Sequence, residues 1–195
     1  MAGPDNVERT VGELGVRPDA GREDRRLVTV LFSDIVGSSG LADRLDPETL
    51  RGGMERYFEA MREVLEEHGG TVEKFIGDAI MAVFGIPRVR EDDALRAVRA
   101  AISMRTRIRA PDLVLAQEVT LAARTGIASG EVVAGDGSSG QLLVTGEAVI
   151  AAARLEQAAG EGEILISART SSGSTTIFTS MPRWTSAADI QLAPR

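Results

Sequence analysis

The chain reads as an α+β sandwich of the ferredoxin-like kind, and three observations predict it. The near-continuous apolar run Leu27-Val28-Thr29-Val30-Leu31-Phe32 fits a strand buried on both faces. Two runs of β-formers, Thr71–Ile76 and Ala79–Phe84, flank the dipeptide Gly77-Asp78, the signature of a hairpin. Between and after them, apolar residues recur at helical spacing. The resulting order, β-α-α-β-β-α-β-β-α-β, predicts one sheet with its helices on one face.

Each element follows from local chemistry. Residues 1–25 are rich in Gly, Pro, Arg and acids without a sustained period, and read as a flexible leader. The domain proper is expected over 26–170. After the turn Gly37-Ser38-Ser39, Leu41 and Leu45 begin a short helix. Asp46 as N-cap and Pro47 at the first helical position start a longer one. Its apolar face is Leu50, Met54, Tyr57, Phe58, Met61, Val64 and Leu65, and Gly69-Gly70 ends it. Gly85 and Pro87 close the hairpin that follows. A third helix is predicted from Asp92 to Arg109, with Ala94, Leu95, Val98, Ala101, Ile102 and Met104 inward and Pro111 as its stop. Strands are predicted at Val119–Ala128 and Glu131–Ala134 with a turn at Ser129-Gly130, then a turn at 137–140 and a short strand Gln141–Val144. A helix from Glu147 to Ala159 and a strand Glu163–Ile166 complete the pattern. Residues 171–195 are rich in Ser and Thr, hold the only tryptophan (Trp184) and carry neither period. They read as an unassigned tail, disordered or aberrant, with the abrupt change after Thr170 suggesting a truncated or frame-shifted end.

Composition narrows the chemistry. With 195 residues, the chain can bury a core without disulfides. The absence of cysteine excludes thiol catalysis and Cys-type zinc sites, and one histidine, His68, cannot supply a His-rich metal site. The net charge of −7 argues against a broad nucleic-acid-binding face. No apolar run approaches the roughly 20 residues of a spanning helix, and Met1–Asn6 lacks signal-peptide form. The expectation is a cytoplasmic domain without membrane insertion.

Two aspartates carry the functional signal. Asp34 lies in Phe32-Ser33-Asp34-Ile35-Val36-Gly37-Ser38-Ser39 and Asp78 in Lys74-Phe75-Ile76-Gly77-Asp78-Ala79, each where a strand ends or turns. Two hard carboxylates brought together make a magnesium site, and magnesium commonly accompanies phosphates. The small residues after Asp34 leave backbone N–H groups free to approach an anion. Taken singly, Asp34 reads equally as a helix cap and Asp78 as a turn residue.

From about Arg26 to Ser167 the chain resembles the catalytic domain of class III nucleotidyl cyclases, bacterial type. The resemblance rests on five segments in order: Phe32-Ser33-Asp34-Ile35-Val36-Gly37, Glu73-Lys74-Phe75-Ile76-Gly77-Asp78, Arg124-Thr125-Gly126-Ile127, Thr145-Gly146-Glu147-Ala148-Val149 and Ala153-Arg154-Leu155-Glu156. It implies an adenylate cyclase that converts ATP to 3′,5′-cyclic AMP and pyrophosphate with two Mg²⁺ or Mn²⁺ ions, in cyclic-nucleotide signalling. By position, Asp34, Asp78 and the carbonyl of Ile35 would hold the metals, and Val36, Gly37, Ser38 and Arg124 would meet the phosphates. Lys74 would read adenine, and Arg154 would stabilise charge in the transition state. The resemblance further implies a homodimer, or pairing with another cyclase chain, because each site takes metal ligands from one subunit and nucleoside contacts from the other.

Three departures qualify it. Ile150 stands where the family has a ribose-orienting asparagine, four residues before Arg154. Leu143 stands where Asp or Thr completes base recognition. Nothing in 171–195 resembles the family's C-terminal helix and closing hairpin with its phosphate-binding lysine. A weak or silent cyclase-like module that binds nucleotide or pairs with a competent chain is therefore the alternative, and the missing elements predict an unpaired sheet edge. Polymerase palms and diguanylate cyclases share two metal aspartates on such a core, but the latter carry a Gly-Gly-Asp-Glu-Phe-type turn where this chain has Ile76-Gly77-Asp78-Ala79.

Overall fold

Strand β1 (Asp24–Ile35) organises the molecule, because its side chains are buried on both faces. Val28, Val30 and Phe32 point to one side, and Leu31 and Ile35 to the other. The computed structural model describes residues 24–113, 121–136, 142–172 and 190–192. Over these, one sheet runs in the order β2-β3-β1-β4-β6-β7, with β2 (Thr71–Ile76), β3 (Ala79–Phe84), β4 (Ala123–Asp136), β6 (Ile164–Ile166) and β7 (Ile190–Leu192); β5 (Leu142–Thr145) pairs with β4. β1 is antiparallel to both β3 and β4. The hairpin prediction holds at both strand bounds, with Ile76 paired to Ala79 across Gly77-Asp78, while the ladder slips between Val72 and Lys74.

Among the described residues, five α-helices accompany this sheet: α1 (Ser38–Ala42), α2 (Pro47–Glu67), α3 (Asp93–Arg107), α4 (Glu147–Ala158) and α5 (Ala168–Ser172). Asp46 caps α2 as predicted, its carboxylate accepting from Thr49 N–H at 2.9 Å. At the far end of α2, Arg96 of α3 donates to the carbonyls of His68 and Gly69, satisfying acceptors that the helix terminus leaves unpaired. Among the described residues, no helix is long and apolar enough to cross a membrane.

The structure corrects the sequence reading in three places. Helices cover both faces of the sheet, not one. α2 and α3 pack with Leu31, Ile80, Phe84 and Ile127, whereas α4 packs through Ala148 and Ala152 on Val30, Met81, Ala128 and Val132. The predicted turn at Ser129-Gly130 is absent, because β4 continues unbroken through it. Ser129 pairs with Thr29 of β1, and their hydroxyls are 2.8 Å apart. Gly130 serves close packing instead of a turn: a Cβ there would sit 3.3 Å from that of Ala148. Thirdly, the tail is not wholly outside the fold. β7 pairs in parallel with β6, so the edge predicted to be bare carries a partner strand. The leader over 1–23, the start of the strand predicted at Val119, the turn at 137–140 and most of the tail lie outside the described residues.

Candidate active site

Asp34 and Asp78 reach one place by two routes. Asp34 is the penultimate residue of β1, on the face that α4 covers, and Arg124 of β4 is its register partner. Asp78 is at the tip of the β2–β3 hairpin, where Gly77 takes a φ of +65° that a side chain would resist. Packing fixes the hairpin's position, because Phe58 of α2 packs on Phe75 of β2 with ring centroids 4.6 Å apart and planes tilted by 48°.

The electrostatics record the convergence. Burial pushes the Asp34 carboxyl above its ordinary value, and the charge and hydrogen bonding of nearby Asp78 add to the rise, against a lowering hydrogen bond from Arg124. Tyr57 of α2, wholly buried, is driven well above the usual phenol range by burial first and then by the charges of Asp34 and Asp78. Its hydroxyl feels both carboxylates and the Ser33 hydroxyl, with no aligned hydrogen-bond partner among the described residues.

Arg124 is the cation that meets this pair. Its Nη2 donates to Asp34 Oδ2 at 2.7 Å, and its Nε lies 2.6 Å from Oε1 of Glu156 on α4. The second contact is an ion pair without alignment, because neither Nε nor Oε1 has a well-directed hydrogen bond. Glu156 is 7% exposed, and burial raises its carboxyl's affinity for a proton while Arg124 lowers it. Sequence reasoning quoted Glu156 only as part of a motif. The signal that could have found it is an acid in a helix whose neighbours Ala152 and Ala159 are apolar and buried.

The other predicted residues are distributed differently. Ile35 is buried, Val36 is 36% exposed, and Gly37 turns the chain with a φ of +77° so that Ser38 can begin α1. Lys74 is on the edge strand β2, its Nζ 3.2 Å from Glu73 Oε2, where a register shift in the ladder brings consecutive side chains together. Arg154 is exposed on α4, and Ile150, one turn earlier, is 56% exposed. The fold thus gathers Asp34, Asp78 and Arg124 and leaves Lys74, Ile150 and Arg154 on the surface. His68 closes α2, its Nδ1 2.8 Å from the Val64 carbonyl, and takes no part in the cluster.

The donor set suits a hard divalent cation. Two adjacent carboxylates whose charges oppose one another are relieved by a dication, and oxygen ligands are those magnesium and manganese prefer. Among the described residues, no group of three or more His, Asp or Glu is placed to hold a metal ion, and this site offers two carboxylates. Further ligands would have to come from backbone carbonyl, water or phosphate.

Comparison with known proteins agrees with this geometry. A family described as "Adenylate and Guanylate cyclase catalytic domain" matches residues 22–186. The uncharacterized protein Rv1319c of Mycobacterium tuberculosis is 35% identical over 144 residues, 71% of this chain and 25% of its own length. The chain therefore spans about a quarter of the curated relatives it matches. Among solved structures, the guanylyl cyclase Cya2 aligns with a TM-score of 0.73 and 35% identity, over 77% of this chain and 79% of its own. The adenylyl cyclase CyaB from P. aeruginosa aligns with a TM-score of 0.72 and 36% identity, over 79% and 83%.

Proposed function

The chain belongs to the adenylate and guanylate cyclase catalytic-domain family, and from that premise we propose that it converts ATP to 3′,5′-cyclic AMP and pyrophosphate in cyclic-nucleotide signalling. The observation that carries the reading is the convergence of Asp34 and Asp78 beside Arg124. Asp34, Asp78 and the Ile35 carbonyl would hold two Mg²⁺ or Mn²⁺ ions. Those ions, when bound, would polarise the α-phosphate and make the ribose 3′-hydroxyl easier to deprotonate. Gly37 and Ser38 offer backbone N–H groups to the triphosphate at the turn into α1, and Val36 lines the turn with its own N–H donated to the Ala122 carbonyl at 2.9 Å. Arg124 offers its planar donor fork to the phosphate oxygens.

Lys74 and Arg154 are too exposed to act within one subunit, and a second copy supplies them. In that homodimer, Lys74 donates to the adenine ring, which favours ATP over GTP. Overall similarity does not decide the base, since an adenylyl and a guanylyl cyclase match almost equally well. Arg154 meets the negative charge that develops as pyrophosphate leaves.

The test is to incubate the chain with ATP or GTP and Mg²⁺ or Mn²⁺ and measure the cyclic product. Cyclic AMP should form from ATP, and Asp34→Ala or Asp78→Ala should lower the rate by ~10²–10³ or more, as loss of a group that stabilises transition-state charge does. Product formation unchanged by both substitutions would sink the reading. Exposure of Ile150 at the ribose-orienting position favours a second reading, a weak or silent module that pairs with a competent cyclase chain.

A further inference from the structure

We propose that Glu156 is a positioning residue that keeps Arg124 in the nucleotide site while Asp34 passes from the guanidinium to a divalent cation. The inference rests on the metal-binding reading of Asp34. Arg124 Nη2 donates to Asp34 Oδ2 at 2.7 Å, so a cation that takes Oδ2, alone or together with Oδ1, competes with the guanidinium for that oxygen. What Arg124 does next depends on Glu156, whose Oε1 is 2.6 Å from Nε.

Three features make Glu156 the anchor. First, it is the more buried of the two carboxylates, with 9% of its side chain exposed against 16% for Asp34. A buried carboxylate stripped of its cation is costly, and a dication held with Asp78 replaces Arg124 at Asp34, whereas Glu156 has Arg124 as its cation. Second, the carboxylate's backbone is fixed. Gly126, two residues along β4 from Arg124, lets α4 approach so closely that a Cβ there would lie 2.2 Å from the Glu156 nitrogen. Third, the Nε–Oε1 contact is short but poorly directed, and both atoms lack an aligned hydrogen bond. Release of Nη2 from Asp34 frees the guanidinium to rotate into alignment with Glu156, leaving its other N–H groups for phosphate oxygens.

The charges agree. Asp34, Asp78 and Glu156 set three negative charges against the one positive charge of Arg124. Exchange of Nη2 for a dication lets Asp34 and Asp78 share the metal while Arg124 keeps Glu156. No buried carboxylate is left alone at either stage.

The experiment is a titration of the full chain with Mn²⁺ in the absence of nucleotide, reading free Mn²⁺ by electron paramagnetic resonance. Parent, Glu156→Gln, Arg124→Gln and the double variant form a cycle. With the anchor gone, Arg124 settles on Asp34 and competes with the ion, so Glu156→Gln should weaken Mn²⁺ binding about five-fold in the parent and less than about two-fold without Arg124. Glu156→Asp keeps the charge but shortens the arm, and should also weaken binding only when Arg124 is present. Equal shifts in both backgrounds, with Glu156→Asp at parental affinity, would make Glu156 a mere nearby charge and overturn the inference alone. No Mn²⁺ uptake sensitive to Asp34→Asn would instead overturn the metal reading beneath it. Thermal melts of each variant confirm that the folded chain is being titrated.

Discussion

At the scale of single residues, Ile150 bears most directly on turnover. It is 56% exposed on α4, four residues before Arg154, so the two side chains share one helix face. An exposed isoleucine contributes little to folding, and replacing it should change stability by less than about 0.5 kcal/mol. Its consequence lies in what it cannot do, since no hydrogen bond reaches the ribose from a branched hydrocarbon. Ile150→Asn should therefore raise cyclic AMP formation by about 10²-fold at saturating ATP, the usual worth of one transition-state contact. An unchanged rate from a variant that still binds ATP would move the defect elsewhere in the site. The placement of Asp34 at a strand end and Asp78 in a hairpin turn was legible in the sequence, because strand and turn chemistry can be read locally, whereas Ile150 was singled out by the family resemblance alone. Glu156 and Tyr57 were not legible. Whether an acid or a phenol on a helix faces solvent or a carboxylate pair is set by tertiary packing, and periodicity carries no record of the partner across the sheet.

At the scale of elements, α4 is where the sheet and the candidate site meet. Its backbone rests directly on β4, because a Cβ at Gly126 would come within 2.2 Å of the Ala152 carbonyl oxygen as well as of Glu156 N–H. Both are backbone atoms, so no side-chain rotation can relieve the contact. Gly126→Ala should lift α4 from the sheet at a cost of about 3 kcal/mol, measured as a lower urea midpoint, and should draw Glu156 away from Arg124. Unchanged stability would mean that α4 does not pack as closely as described. The same element explains the principal error of sequence reading. Ser129-Gly130 has turn composition, yet Gly126 and Gly130 recur on one face of β4 four residues apart, beneath Ala152 and Ala148. Glycines at even spacing within a strand signal close approach of another backbone as readily as a turn. The strands and turn of the hairpin carrying Asp78 were read correctly, though not its register shift at Val72 and Lys74, because strands and turn agree locally. The face each helix covers depends instead on crossover connections that composition does not record.

For the whole molecule, the decisive property is the separation of the chemical groups. Asp34, Asp78 and Arg124 cluster at one end of the sheet, while Lys74 and Arg154 are exposed on β2 and α4. If a second copy completes the site, a two-fold dimer holds two equivalent sites, each built from one metal half and one nucleoside half. An Asp34→Ala chain and an Arg154→Ala chain should then each be inactive alone and recover activity when co-folded. Random pairing makes half of the dimers mixed, and each mixed dimer keeps one intact site. The recovered rate should reach about one quarter of the parental value per chain. The measurement is cyclic AMP formation at several protein concentrations, in the Ile150→Asn background so that loss and recovery have range. Recovery should fall on dilution as dimers dissociate. Two inactive variants that stay inactive together, while sedimenting as a mixed dimer, would place every catalytic group within one subunit. That outcome would require Arg154 to reach Asp34 from its own α4, which its exposed position on the helix opposes.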